Sequence, residues 1–311
     1  MAQVKERRAA TLERLLVQDA AEGTPVVLHY VGYGYQKRGC PSWLISGIER
    51  WKRALRGACL LTMFHELYAK PGPLWSSSFW NSSLQRRLAV RLARCTNRCR
   101  TNRTKLALEI GRMVRAHNGQ TKALPVFSNL GEPEPVLPLQ RRNSQAVFFG
   151  GLGRGLKDMT SGRKVLEQAF SSLSLDGMLG FGKSSRPPAQ LHSALTHLSD
   201  SGPDRISEEL SASRVGILDY FDGELAKSGI FAAYCAHGLT PVLTVSSASQ
   251  SDGLEPGRHY LVASELNGRA SLTVQQEVAD AARAWYSGHN LRRTARVFAE
   301  DLFPGSDDRL Y

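Results

Sequence analysis

Leu124-Pro-Val-Phe-Ser-Asn-Leu-Gly-Glu-Pro-Glu-Pro-Val-Leu-Pro-Leu-Gln-Arg-Arg-Asn143, followed by Ala146-Val-Phe-Phe-Gly-Gly-Leu-Gly-Arg-Gly-Leu-Lys157, decides the fold of this chain. Leu124–Phe127 reads as a short strand. The stretch 129–143 then carries three prolines and no apolar periodicity. Each proline pushes the residue before it out of helical conformation, so this stretch reads as a linker. Ala146–Phe149 is a fresh apolar run that stops at glycines, the pattern of a buried strand entering a loop and a helix. A strand on each side of a proline-rich linker implies two folding units, and 311 residues suffice for roughly two domains of about 150 each.

Working toward the N-terminus, a helix is expected over 3–20, strands at Val26–Val31 and Cys59–Phe64, and helices over 41–56, 84–94 and about 103–116. A short polar strand fits near 95–101. Working toward the C-terminus, strands are expected near 178–181, at Val215–Leu218 and at Pro241–Val245. Helices are expected over 187–198, 204–212, 226–237 and along a tail from 275 to 301. Strands alternating with helices imply parallel sheets covered on both faces. The expectation is an α/β protein of two Rossmann-like domains. They are an N-terminal domain over 1–135 and a C-terminal one over 144–275, with a helical tail over 276–311.

The formal net charge is +12, with 42% hydrophobic and 22% charged residues, which argues against disorder and against a fibrous repeat. No apolar run reaches the ~20 residues needed to span a bilayer, and the charged start, Met1-Ala-Gln-Val-Lys-Glu-Arg-Arg8, lacks the apolar core of a signal peptide. The five cysteines complete no zinc spacing and read as reduced thiols of a cytoplasmic protein. The charge is uneven. Residues 1–122 hold 22 Lys+Arg against 7 Asp+Glu, a balance of +15, and the rest of the chain holds 18 against 21, a balance of −3. The first half therefore faces something anionic: lipid head groups, nucleic acid or phosphorylated substrates. No nucleic-acid-binding motif is present, so that partner is the weakest of the three. Arg87, Arg91 and Arg94 fall along one helical side with Leu84, Leu88 and Leu92 close by, which suits a peripheral anionic membrane surface. Trp43 and Trp51 sit at helical spacing and read as core, while Trp75 and Trp80 can stack on sugars or meet an interface.

Ligands of open α/β sheets bind beyond the carboxyl ends of strands, which singles out three places. Gly151, Gly153, Arg154 and Lys157 follow a strand, where glycines let the backbone approach a phosphate and the two cations suit a diphosphate. His65 ends a buried strand, where an imidazole can meet a sugar hydroxyl. Lys227-Ser228-Gly229 opens a helix that is apolar nearly all round, and offers a cation, a hydroxyl and backbone N–H groups. Each also has a structural explanation: a solvated glycine turn, a core histidine, an ordinary buried helix.

Together these features resemble the retaining, nucleotide-sugar-dependent glycosyltransferases of the GT-B fold, the group 1 (family 4-like) type, over roughly residues 26–265. His65 resembles the family's histidine near the donor sugar. Leu124-Pro-Val-Phe-Ser-Asn129-Leu-Gly131 resembles its Pro-Asn-Gly segment, and Gly153-Arg154 with Lys157 its diphosphate-holding element. The segment 224–242 stands where the family keeps a Glu-x7-Glu motif. Glu224 lies near the first glutamate, the second falls on Ala233, and Gly238-Leu-Thr-Pro241 is one residue longer than the family's pattern. The resemblance implies that Lys227, Ser228 and Gly229 would substitute there as donor ligands. The single helix before Val26–Val31 implies an N-terminal domain short of about two α/β units.

The resemblance implies transfer of a sugar from a UDP- or GDP-sugar to a hydroxyl of a glycan or lipid-linked acceptor, with retention, in polysaccharide or exopolysaccharide biosynthesis. His65 and Glu224 would be the catalytic residues. The nucleotide sugar is a substrate, and neither a cofactor nor a metal is implied. The expected place is the cytoplasm, with a peripheral position on the inner face of the cytoplasmic membrane. The alternatives are a catalytically silent GT-B-like scaffold and, less favoured, a basic nucleic-acid-binding protein.

Overall fold

A computed structural model describes residues 6–20, 24–69, 77–114, 121–149, 159–181, 195–198, 201–244, 246 and 251–303. They fall into two compact units, one within Met1–Leu124 and Arg296–Tyr311, the other within Pro125–Ala295.

The first unit runs α1 (Ala9–Asp19), β1 (Val26–Tyr30), α2 (Gly32–Tyr35), α3 (Ser42–Ala54), β2 (Leu60–Phe64), α4 (Ser77–Cys95), β3 (Arg98–Thr101), α5 (Thr104–Met113) and β4 (Lys122–Ala123). Its described strands form one parallel sheet in the order β1-β2-β3-β4. All of β2 is buried, as its apolar run predicts, and its one polar side chain, Thr62, shares a hydrogen bond with Thr96 at 2.8 Å. Leu44, Ile45, Ile48 and Trp51 line one side of α3 and pack with Tyr30, Leu60 and Phe64. Gly47 lets α1 come close, because a Cβ there would lie 2.9 Å from the Leu12 side chain. The expected strand at Leu124–Phe127 is instead β4, two residues upstream and two residues long. Leu124 ends the ladder by donating its N–H to the Thr101 carbonyl.

The opposite face of this sheet is met by the C-terminal segment. Parallel register aligns His29, Met63, Arg100 and Lys122 in one row across the four strands. The Arg100 guanidinium donates to both oxygens of Asp301, at 2.6 and 2.7 Å. Phe298 stacks on His29 with ring centroids 6.2 Å apart.

The second unit contains β5 (Asn143–Phe149), α6 (Met159–Leu173), β6 (Gly177–Phe181), β7 (Leu195–Leu198), α7 (Pro203–Ala212), β8 (Ser213–Leu218), α8 (Gly229–Ala236), β9 (Thr240–Leu243), β10 (Leu261–Val262), α9 (Leu272–Ser287) and the start of α10 (Leu291–Leu302). Its six described strands are all parallel, in the order β7-β6-β5-β8-β9-β10. Numbered within the unit this is 3-2-1-4-5-6, the order of a doubly wound sheet that reverses direction between β5 and β8. Pro203 sits in the first turn of α7, where its missing N–H costs nothing.

Two sequence expectations change here. The helix expected over 187–198 is a strand at 195–198, paired with β6, while 182–194 lie outside the described residues. The tail expected over 276–311 is divided. α9 buries Val278, Ala282 and Tyr286 in the second unit, and α10 passes from the second unit to the first at Arg296. The unit boundary falls at Leu124/Pro125, at the head of the proline-rich stretch. That stretch is held to the second unit by Arg142, which is buried and gives its N–H groups to the carbonyls of Leu137, Ser213 and His237.

Candidate functional site

Ligands of doubly wound sheets bind beyond the carboxyl ends of the strands at which the order reverses, here β5 and β8. β5 leads into the glycine-rich stretch. Gly151, Gly153, Arg154 and Lys157 all lie in it, outside the described residues. β8 leads into Asp219, then a 3-10 turn over Asp222–Lys227, then α8.

Asp222 is buried and anchors that turn. One carboxylate oxygen accepts the Gly223 N–H at 2.9 Å, the other the Ser246 hydroxyl at 2.7 Å. Asp219 accepts the Thr244 hydroxyl at 3.0 Å. Both contacts tie the chain after β8 to the chain after β9, so two strand ends are braced together. The turn delivers Glu224 and Lys227 to one side, paired at 2.8 Å. Ser228 follows as the N-cap of α8, its hydroxyl oxygen accepting the Phe231 N–H at 3.2 Å. That leaves the hydroxyl hydrogen and a lone pair for other use. Gly229 is the first helical residue, with the Asn129 amide oxygen 3.9 Å from where a Cβ would sit. The first N–H groups of a helix have no partner inside it and carry positive potential. Lys227, Ser228 and Gly229 thus converge at an anion-seeking helix start.

α8 itself is fixed from below. Phe231 through Ala236 are buried. Gly238 has φ +66°, and Leu239 and Gly238 donate to the carbonyls of Tyr234 and Cys235, which closes the helix with a Schellman cap. His237 is buried, with Nδ1 2.8 Å from the Ala233 carbonyl and Nε2 2.8 Å from the Ser207 hydroxyl. Burial pushes its pKa down to about 4, so it is a neutral structural residue.

In the first unit His65 stands directly after β2, half-buried. Its Nε2 is 3.0 Å from Nδ1 of His29, an edge-to-edge contact with the ring centroids 5.3 Å apart and the planes 23° from parallel. Burial and the neighbouring His29 both lower the His65 pKa. Nearby, the buried Gln85 of α4 donates to the Tyr33 hydroxyl and the Arg38 carbonyl and accepts the Ala69 N–H, holding the loops after β1 and β2. The outer face of α4 carries Trp80, 72% exposed, then Leu84, Arg87, Arg91 and Arg94 at helical spacing. With Arg86 these arginines line a groove of about 500 Å3. Arg91 is held by Glu49 at 2.6 Å. Trp51 is buried as expected and Trp43 half-buried, while Trp75 lies outside the described residues. Among the described residues no three His, Cys, Asp or Glu are grouped to hold a metal ion, and no helix is long and apolar enough to cross a membrane.

The structure therefore brings Glu224, Lys227, Ser228 and Gly229 together in the second unit and places His65 in the first. The sequence reading missed Asp219 and Asp222, although acidic residues directly after a strand end were the available signal. It also missed His29, whose only trace is its place one residue before the end of β1.

No protein-family model matches the sequence, and no curated protein sequence matches it. Solved structures do match in fold. The α,α-trehalose-6-phosphate synthase of Burkholderia multivorans superposes with a TM-score of 0.60 at 11% identity, over 94% of this chain and 75% of that one. The UDP-forming trehalose-phosphate synthase of Burkholderia vietnamiensis gives 0.58 at 12% identity, over 94% and 74%. TarM of S. aureus, in a structure holding UDP and α-GlcNAc-glycerol, gives 0.53 at 8% identity, over 95% and 59%. At these identities the likeness is one of fold, and it shows a GT-B glycosyltransferase-like fold.

Proposed function

We propose that this chain is a glycosyltransferase that moves a sugar from a nucleotide sugar, UDP- or GDP-linked, to a hydroxyl of a glycan or lipid-linked acceptor, with retention at the anomeric carbon. The observation that carries the proposal is the convergence of Lys227, Ser228 and Gly229 at the start of α8, beside the reversal of a doubly wound sheet. As the sugar leaves, negative charge grows on the diphosphate. Lys227, with Arg154 and Lys157, supplies the countercharge, and the N–H groups opening α8 supply oriented dipoles that need no reorganisation. The ion pair with Glu224 keeps Lys227 in place until the nucleotide takes over as its anionic partner. In the first unit, His65 offers an imidazole suited to a sugar hydroxyl. The UDP in the TarM structure supports a uridine nucleotide. The exposed face of α4 supports docking on anionic lipid, which brings a lipid-linked acceptor to the cationic unit.

The test is turnover. Incubation with a panel of UDP- and GDP-sugars should release nucleoside diphosphate in the presence of a lipid-linked or glycan acceptor, and NMR of the product should show the donor's anomeric configuration. Glu224→Gln, which frees Lys227 for the nucleotide, should bind nucleotide at least as tightly as the wild type. Release from none of the donors would overturn the proposal.

A further inference from the structure

His29 and His65 are 36 residues apart, and the parallel register of β1 and β2 brings them together. His29 faces Met63 across the ladder, and His65, two residues beyond Met63, continues the same face past the strand end. The 3.0 Å contact between His29 Nδ1 and His65 Nε2 requires one N–H and one lone pair. It therefore excludes the state in which both rings are protonated. It also occupies Nε2 of His65, so that only Nδ1 of that ring is left to meet a ligand. The Phe298 ring of α10 lies nearly parallel to the His29 ring, centroids 6.2 Å apart, and the His29 backbone carbonyl accepts the Tyr35 hydroxyl at 2.8 Å.

We propose that His29 is a positioning residue for His65, donating from Nδ1 to His65 Nε2 and thereby fixing the proton of the neutral His65 ring on its Nδ1. One observation gives the donor its direction: His29 is the exposed member of the pair and His65 the half-buried one, so the donor that carries the more polar load is better solvated at His29. Of the other charged groups on this face, Arg100 of β3 and Asp301 of α10 neutralise each other, and Lys122 of β4 stands at the far end of the row, three strands from His29. His65 then presents an N–H at Nδ1, a donor suited to an oxygen of a sugar. That last role rests on the transferase proposal above, whereas the pairing itself does not.

Long-range 1H–15N NMR of the full chain, with labelled histidines, tests the pairing without any nucleotide sugar. Titrated from mildly alkaline to mildly acidic pH, His65 should stay neutral, with its proton on Nδ1, to a lower pH than an ordinary histidine. In His29→Phe the fixed tautomer should be lost and the His65 titration should rise toward the ordinary histidine range. In His29→Asn, whose amide reaches the place of Nδ1, the Nδ1–H tautomer of His65 should return with no titration at position 29. A His65 that takes up its proton at the pH of an ordinary histidine, or that titrates identically in the wild type and His29→Phe, would overturn the proposal. A chain that shows the pairing and binds no nucleotide would overturn the transferase proposal and leave the pairing standing.

Discussion

The ring of Tyr234 fills the space that a side chain at Gly216 would need: a Cβ at Gly216 would lie 2.3 Å from the ring. From that seat the Tyr234 hydroxyl reaches the carbonyls of Val147 in β5 and Ile217 in β8, at 3.1 and 3.0 Å. One side chain of α8 thus pins the helix to both strands at the reversal point. Gly216→Ala should destabilise the second unit by about 3 kcal/mol or more through overpacking. Tyr234→Phe should cost about 1 kcal/mol, the scale of one net hydrogen bond. Urea unfolding followed by circular dichroism would check both.

The Arg100–Asp301 pair ties the C-terminal segment to the first unit's sheet with side chains only 14% and 9% exposed. Removing one member leaves a charge with little water, so Asp301→Ala should cost roughly 3–5 kcal/mol. The double variant Arg100→Met/Asp301→Leu should recover most of that loss. Thermal unfolding of the four species in a double-mutant cycle would show the coupling.

His237 and His289 are both buried, and burial holds each at a pKa of about 4. Unfolding returns them to about 6.5, so the unfolded state binds the more protons between those values. Their contribution is fully present above pH 6.5 and is lost as pH falls toward 4, by an amount on the order of 3 kcal/mol per histidine. His237→Gln should flatten the pH dependence of the second unit's stability by one proton's worth. Denaturation midpoints measured across that range would show it.

The proposed docking of the first unit on anionic lipid is separable from its fold. Each of Arg86, Arg87 and Arg94 should contribute about 1 kcal/mol near a charged bilayer, roughly fivefold in partitioning. The triple alanine variant should lose on the order of a hundredfold in cosedimentation with phosphatidylglycerol vesicles. Its melting temperature should not change, and added salt should weaken the wild type in the same direction.

Much of this was legible beforehand, for local reasons. The strands with apolar runs, such as Leu60–Phe64 and Val215–Leu218, and the cap at Gly238 are written in neighbouring residues. β7 was not, because Leu195-Thr-His-Leu198 is short and becomes a strand only by pairing with Met178–Phe181. At the site, Lys227-Ser228-Gly229 could be found from a strand end and a helix start, since the chemistry is contiguous. The pairing of His29 with His65, and of Arg100 with Asp301 across 201 residues, depends on register and on the return of α10. Neither leaves a periodic trace.

Calorimetric titration of UDP and GDP into the full chain and into its Lys227→Ala variant bears most directly on the central claim. The wild type should bind one of the two nucleotides. The variant should bind it ten- to a hundredfold more weakly, the scale of one charge-assisted hydrogen bond, about 1.5–3 kcal/mol. A wild type that binds neither nucleotide, or a Lys227→Ala chain that binds as tightly as the wild type, would contradict a nucleotide-sugar site at the start of α8.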